Sequence, residues 1–183
     1  MDDGTQTLGI MDILAEDEST VLYSLPTSEL PWKGNQNKIS SIPTDDYRVK
    51  SHVSGKHGQC FWMIGNSQGN YANNKLFGNG YTRTAVLIHK SPKAPGWLLG
   101  CIGPGLRFNT SGDQKGRQKG TGTKYLEPAL NESIQAMSKL LASLYSVGSF
   151  KMKIVNQGGV SSTSLPSTFN ESVKAAARSK NVL

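Results

Sequence analysis

An α+β domain, a β-rich sheet or barrel covered by one main helix, is what the sequence predicts, on three observations. Short stretches of alternating apolar and polar residues recur along the chain. Twenty glycines and eight prolines separate them with turns. A single stretch carries the helical period. At 183 residues the chain is long enough for one domain with a real core, plus an appendage.

The elements follow in order. Val21, Tyr23 and Leu25 alternate in a first strand, and Tyr47 and Val49 in another. Between them lies SELPWKGNQNKISSIP, with Gly34-Asn35 as a turn. Cys60–Ile64 and Thr84–Ile88 read as further strands, separated by the Asn/Gly-rich loop GNSQGNYANNKLFGNG. That loop lacks the Lys-Ser ending and following helix of a phosphate cradle. Asn131 then caps a helix whose face carries Ile134, Met137, Leu140, Leu141 and Leu144, and Gly148 stands where a helix stops. Phe150, Met152 and Ile154 alternate in a closing strand. Residues 157–167 are a Gly/Ser/Thr-rich linker, and the basic tail TFNESVKAAARSKNVL has no core of its own, so it needs a partner to dock on. The expected organisation is an acidic N-terminal arm over 1–18, a domain over 19–156, and a linker with a basic docking tail over 157–183.

The net charge of +7 is unevenly spread. Asp2, Asp3, Asp12, Glu16, Asp17 and Glu18 fall in the first eighteen residues, which hold no Lys or Arg, so the remainder carries a balance of +13. Such a body favours anionic surfaces, and the acidic arm could dock on it or on a partner; a merely solubilising surface is the plainer alternative. With no arginine-rich helix and no zinc spacing, nucleic-acid binding has little support. No apolar run reaches membrane-span length, and the acidic start MDDGTQTLGIMDIL is unlike a secretory signal. The expectation is synthesis in a cytoplasm without export by that route.

Chemistry concentrates in LIHKSPKAPGWLLGCIGPG. His89 ends an apolar strand, which would fix an imidazole base in place. Cys101 follows twelve residues later between glycines, Gly100 and Gly103, that let a substrate approach the backbone and present N–H groups to an oxyanion. The competing reading is a small buried hydrophobe. Trp97 would wall the site, stack on a sugar, or cap the core. Lys115 and Arg117, with Lys119 and Lys124, lie in a glycine-rich loop that reads either as a lid attracting carboxylates or as a solvated surface. Cys60, among Phe61, Trp62 and Met63, reads as a buried structural thiol. Both cysteines are expected free, and His52, His57 and Cys60 lack a fourth ligand for a metal site. No metal or cofactor is called for.

Together, SELPWKGNQNKISSIPTDDYRVK and AVLIHKSPKAPGWLLGCIGPG resemble a domain family of unassigned activity found in bacteriophages and bacteria. The likeness runs from about Leu8 to Val155 and leaves out the tail. That family is in turn similar in layout to the L,D-transpeptidases, which process peptidoglycan peptides through a cysteine thiolate. The resemblance implies Ile42-Pro43 with Tyr47 as the first element of the site, His89 as base and Cys101 as nucleophile. This chain has Leu98-Leu99 where the transpeptidases usually have Ser-His, and its spacing from His89 to Cys101 is shorter. The implied protein is a virion-associated phage component. It either acts on peptidoglycan stem peptides or serves as a non-catalytic part of a tail or baseplate, with other virion proteins or copies of itself as partners.

Overall fold

A computed structural model describes residues 2, 4, 6–65, 75–78, 81–91, 97–107 and 130–155. The linker and basic tail, and the loop holding Lys115 and Arg117, lie outside the described residues.

The strands are β1 (Thr7–Leu14), β2 (Val21–Glu29), β3 (Asp45–Ser54), β4 (Gly58–Gly65), β5 (Lys75–Gly78), β6 (Tyr81–Thr84), β7 (Leu87–Ile88) and β8 (Gly103–Pro104). Helix α1 (Leu130–Leu144), a 3₁₀ turn (Tyr145–Val147) and β9 (Ser149–Ile154) follow. They form sheets of order β1-β2-β8 and β7-β4-β3-β9, with β5 and β6 pairing on their own, all antiparallel. One parallel bridge, Ile88 to Ile102, joins the two larger sheets. Residues 102–104 therefore bond to β7 on one side and to β2 on the other. The architecture is α+β, mostly antiparallel sheet with one helix.

The core lies where the two sheets and α1 meet. Met11, Ile13, Tyr23 and Leu25 come from the first sheet, Tyr47, Val49, Phe61, Met63 and Ile88 from the second, and Ala136, Met137 and Leu140 from the helix. Tyr23 also ties β2 to α1 directly: its hydroxyl hydrogen-bonds Ser143, and Lys139 Nζ sits 4.1 Å over its ring.

Several expectations need correction. Residues 7–14, assigned to an acidic arm, form β1, because Leu8, Met11 and Ile13 are buried while Asp12 faces out. Asp2 accepts a hydrogen bond from the Trp32 N–H, so the acidic start docks on its own domain. The Asn/Gly-rich loop contains β5. The strand expected over Thr84–Ile88 is two strands, parted at Ala85, whose φ of 57° breaks the extended run. Asn131 lies inside α1 rather than capping it. Helix burial is also rotated. Ser133, Ala136, Met137 and Leu140 are buried, whereas Ile134 is exposed. Gly148 does end the helical segment, at φ 76°, and β9 shows the expected alternation.

The β1–β2 register makes one position unforgiving. Gly9 faces Thr27, and a Cβ added at Gly9 would stand 2.8 Å from Thr27 Oγ1. Thr27 is buried. Gly9→Ala is expected to cost about 1–3 kcal/mol by overpacking, read as a lower urea midpoint with an unchanged slope.

Candidate active site

Strand pairing sets the relation of the two predicted residues. The Ile102 N–H donates to Leu87 O at 2.9 Å and the His89 N–H to Ile102 O at 3.1 Å, so Ile88 and Ile102 are direct partners. Both isoleucines are core residues. Alternation then turns their neighbours, His89 and Cys101, toward the opposite face on either side of that parallel bridge: Cys101 is level with Leu87, whose N–H donates to its Sγ, and His89 is level with Gly103. Cys60 shares that face, because β4 pairs Phe61 with Ile88 and so sets Cys60 across from His89.

His89 is 2% exposed. Its Nδ1 lies 2.8 Å from Lys90 O, an atom that can only accept, so Nδ1 carries the proton and Nε2 the lone pair. Burial is the main cause that pulls its pKa down to about 4, so the ring is neutral near pH 7. His57, from the β3–β4 turn, stacks on it with centroids 3.8 Å apart and planes at 26°. Its pKa is also lowered, first by burial and then by Lys56 and Lys90.

Cys101 is partly exposed, and both cysteines are free thiols. Its Sγ accepts the Leu87 N–H at 3.4 Å, and no hydrogen bond joins it to His89 among the described residues. Burial pushes the thiol up, while the Leu87 N–H and Arg83 pull it down. Gly100 adopts φ 89°, a conformation a side chain rarely takes. Because the Ile102 N–H is engaged by Leu87, the turn's oxyanion donors reduce to N–H groups other than that one.

The remaining expected residues fall into place as follows. Gly103 is buried, pairs with Ser28, and packs against Ser91 and Leu98. Trp97 is exposed, so it does not cap the core. Leu98 is fully buried, and Leu99 is exposed. Cys60 is fully buried, as a structural thiol should be. His52 tilts against Trp62 at 4.7 Å rather than joining a metal set, and no group of three or more metal-ligating side chains occurs among the described residues. A cavity beside this region, about 230 Å³, is lined by His57, Gln59, Lys90, Ile134, Met137 and Leu141; neither His89 nor Cys101 lines it.

Sequence reasoning passed over a buried polar cluster behind the cysteine. Arg83, 2% exposed, donates from Nη1 to Ser40 O at 2.8 Å and Ser41 O at 3.1 Å, and from Nη2 to Gly100 O at 2.9 Å. Glu29 accepts the Ile42 N–H at 3.0 Å, and burial raises its carboxyl to about 7. The Tyr47 hydroxyl donates to Pro43 O at 2.6 Å, and burial first, then Asp45 and Glu29, push its pKa up. Glu29, Ser40, Ser41, Ile42, Pro43 and Tyr47 all lie in the stretch SELPWKGNQNKISSIPTDDYRVK, whereas Arg83 stands outside any motif.

Fold and site together define a cysteine–histidine arrangement at the seam of two antiparallel sheets. Comparison of the chain with protein-family models, with curated proteins and with solved structures finds no match. No helix among the described residues is long and apolar enough to cross a membrane.

Proposed function

We propose that this chain is a bacteriophage virion-associated protein whose domain, similar to L,D-transpeptidases, processes peptidoglycan stem peptides through Cys101. The observation that carries the reading is the Ile88–Ile102 bridge, which puts a neutral histidine and Cys101 on one face of adjacent segments, two residues apart in register, beside a left-handed glycine. In the proposed step the Cys101 sulfur attacks an amide carbonyl and its proton passes to His89 Nε2. Peptide N–H groups of the Gly100–Gly103 turn hold the oxyanion, and His89 returns the proton to the leaving amine. A thioester remains, which an acceptor amine or water cleaves while giving its proton to His89. The basic loop with Lys115 and Arg117 would meet the stem-peptide carboxylates, and the exposed Trp97 would flank the sugar.

The second reading is a non-catalytic tail or baseplate component that keeps the fold for attachment to other virion proteins or copies of itself. It draws on the sulfur's only described hydrogen bond being to a main-chain N–H rather than to the histidine. Incubation with defined tetrapeptide and pentapeptide stems, followed by mass spectrometry, separates the two. The first reading expects a thioester adduct on Cys101 and product release. Cys101→Ala should abolish both, and His89→Ala should slow turnover by about 10²–10⁴. A folded wild-type chain that forms neither adduct nor product supports the structural role instead.

A further inference from the structure

We propose that Arg83 is the positioning residue of the Cys101 site: its guanidinium clamps the Gly100 carbonyl to the Ser40–Ser41 segment and holds a fixed positive charge behind the thiol. The proposal rests on Cys101 being the reactive thiol of the function proposed above.

A buried guanidinium is costly unless its donors are satisfied. Arg83 meets this with three carbonyls, from Ser40, Ser41 and Gly100, rather than with a carboxylate in direct contact. The ion pairs among the described residues, Arg107–Glu132 and Lys151–Glu18, do not involve it. Those carbonyls lie 43, 42 and 17 residues away in sequence, so one planar fork joins two distant segments. Gly100 shows how closely they meet: a Cβ there would lie 3.2 Å from Arg83 Nη2 and 3.2 Å from Ser40 O. The next residue is Cys101, and its direction therefore depends on the peptide that Arg83 holds.

The charge has a separate use. In a thiol–imidazole pair a protonated histidine ordinarily supplies the positive partner of the thiolate. Here burial keeps His89 neutral, so that partner is missing near pH 7. Arg83 acts on Cys101 in the required sense, favouring the thiolate, and Glu29 acts against it. The same arginine and carboxylate favour each other's charged forms. Burial is the main influence on the thiol and opposes its ionisation; the Leu87 N–H, the direct donor to sulfur, and then Arg83 favour the thiolate, and Glu29 opposes it.

The test reads ionisation rather than turnover: alkylation of Cys101 by iodoacetamide from pH 7 to 11.5, located by peptide mass spectrometry, in the full chain. Arg83→Gln is expected to raise the pH midpoint by at least one unit, so that alkylation at pH 7.5 falls by about tenfold. Arg83→Lys keeps the charge but not the fork, so its midpoint should stay near wild type while its melting temperature falls. Glu29→Gln should lower the midpoint and speed alkylation severalfold at pH 7.5, and it decides the matter if Arg83→Gln does not fold. An unchanged midpoint in folded Arg83→Gln or in Glu29→Gln overturns the proposal, as does an Arg83→Lys midpoint that moves as far as that of Arg83→Gln. Midpoints that move as expected in a chain inert toward stem peptides would remove the enzymatic reading and leave Arg83's role standing. Turnover with unmoved midpoints would do the reverse.

Discussion

Phe61→Ala is expected to lose about 3–5 kcal/mol of stability, the usual cost of emptying a buried aromatic site. Phe61 is 1% exposed and packs edge-on against Phe150 at 5.4 Å and tilted against Tyr145 at 6.1 Å, both partly buried residues against the same core. The backbones of both neighbours are held in place, since β9 is bonded to β3 and Tyr145 O accepts the Ser51 hydroxyl at 2.7 Å. The effect should reach the site. Phe61 pairs directly with Ile88, and Ile88 is the residue that bridges to Ile102. Urea denaturation measures the loss. In conditions where the variant remains folded, hydrogen exchange at His89 and Ile102 should rise with it, because their N–H bonds close that bridge. A loss under 1 kcal/mol would mean that the sheet repacks freely there.

The second large effect is a pH dependence that two groups conceal from each other. His89 titrates at about 4 in the fold against about 6.5 when unfolded. Its contribution to stability is full above pH 6.5 and is lost as pH falls toward 4, by on the order of 3 kcal/mol, because only the unfolded chain takes up the proton there. His57, shifted in the same direction, adds to that loss. Glu29 does the opposite. Its carboxyl titrates at about 7 in the fold against 4.5, so its contribution is full below 4.5 and is lost as pH rises through 7. Between 4.5 and 6.5 the slopes oppose each other, and Glu29 should mask most of the histidines' acid sensitivity in the wild-type profile. Glu29→Gln removes one of them. Relative to wild type, the variant should gain on the order of 3 kcal/mol between pH 4.5 and 7, exposing the acid sensitivity of the histidines. Denaturant midpoints across that range measure it, and parallel curves for the two proteins would show that Glu29 ionises normally.

Local pattern carried much of this reading. Tyr47 and Val49, Cys60–Ile64, and Phe150, Met152 and Ile154 were legible as strands because alternation follows directly from the pleat, and each sits in a strand. The helix was legible by its period, although its buried face was misplaced toward Ile134: period alone does not say which flank of a broad apolar stripe meets the sheet. β1 was hidden by its acidic neighbours, since charge was weighed over the burial that Leu8, Met11 and Ile13 achieve only once β2 pairs with them. Ala85's turn had no signal either, being an alanine in a conformation that glycine usually takes.

The site divides along the same line. By itself the sequence determined which residue types could do chemistry, the strand-ending His89 and the glycine-flanked Cys101, because side-chain chemistry and glycine's backbone freedom travel with the residue. Only the tertiary structure decided what state they are in. Burial, which no residue carries alone, lowers His89 and raises Cys101. His57 meets His89 because a hairpin turn folds back over β7. Arg83 reaches Cys101's turn through main-chain carbonyls, and since every residue has one, sequence cannot mark which of them a buried arginine will find.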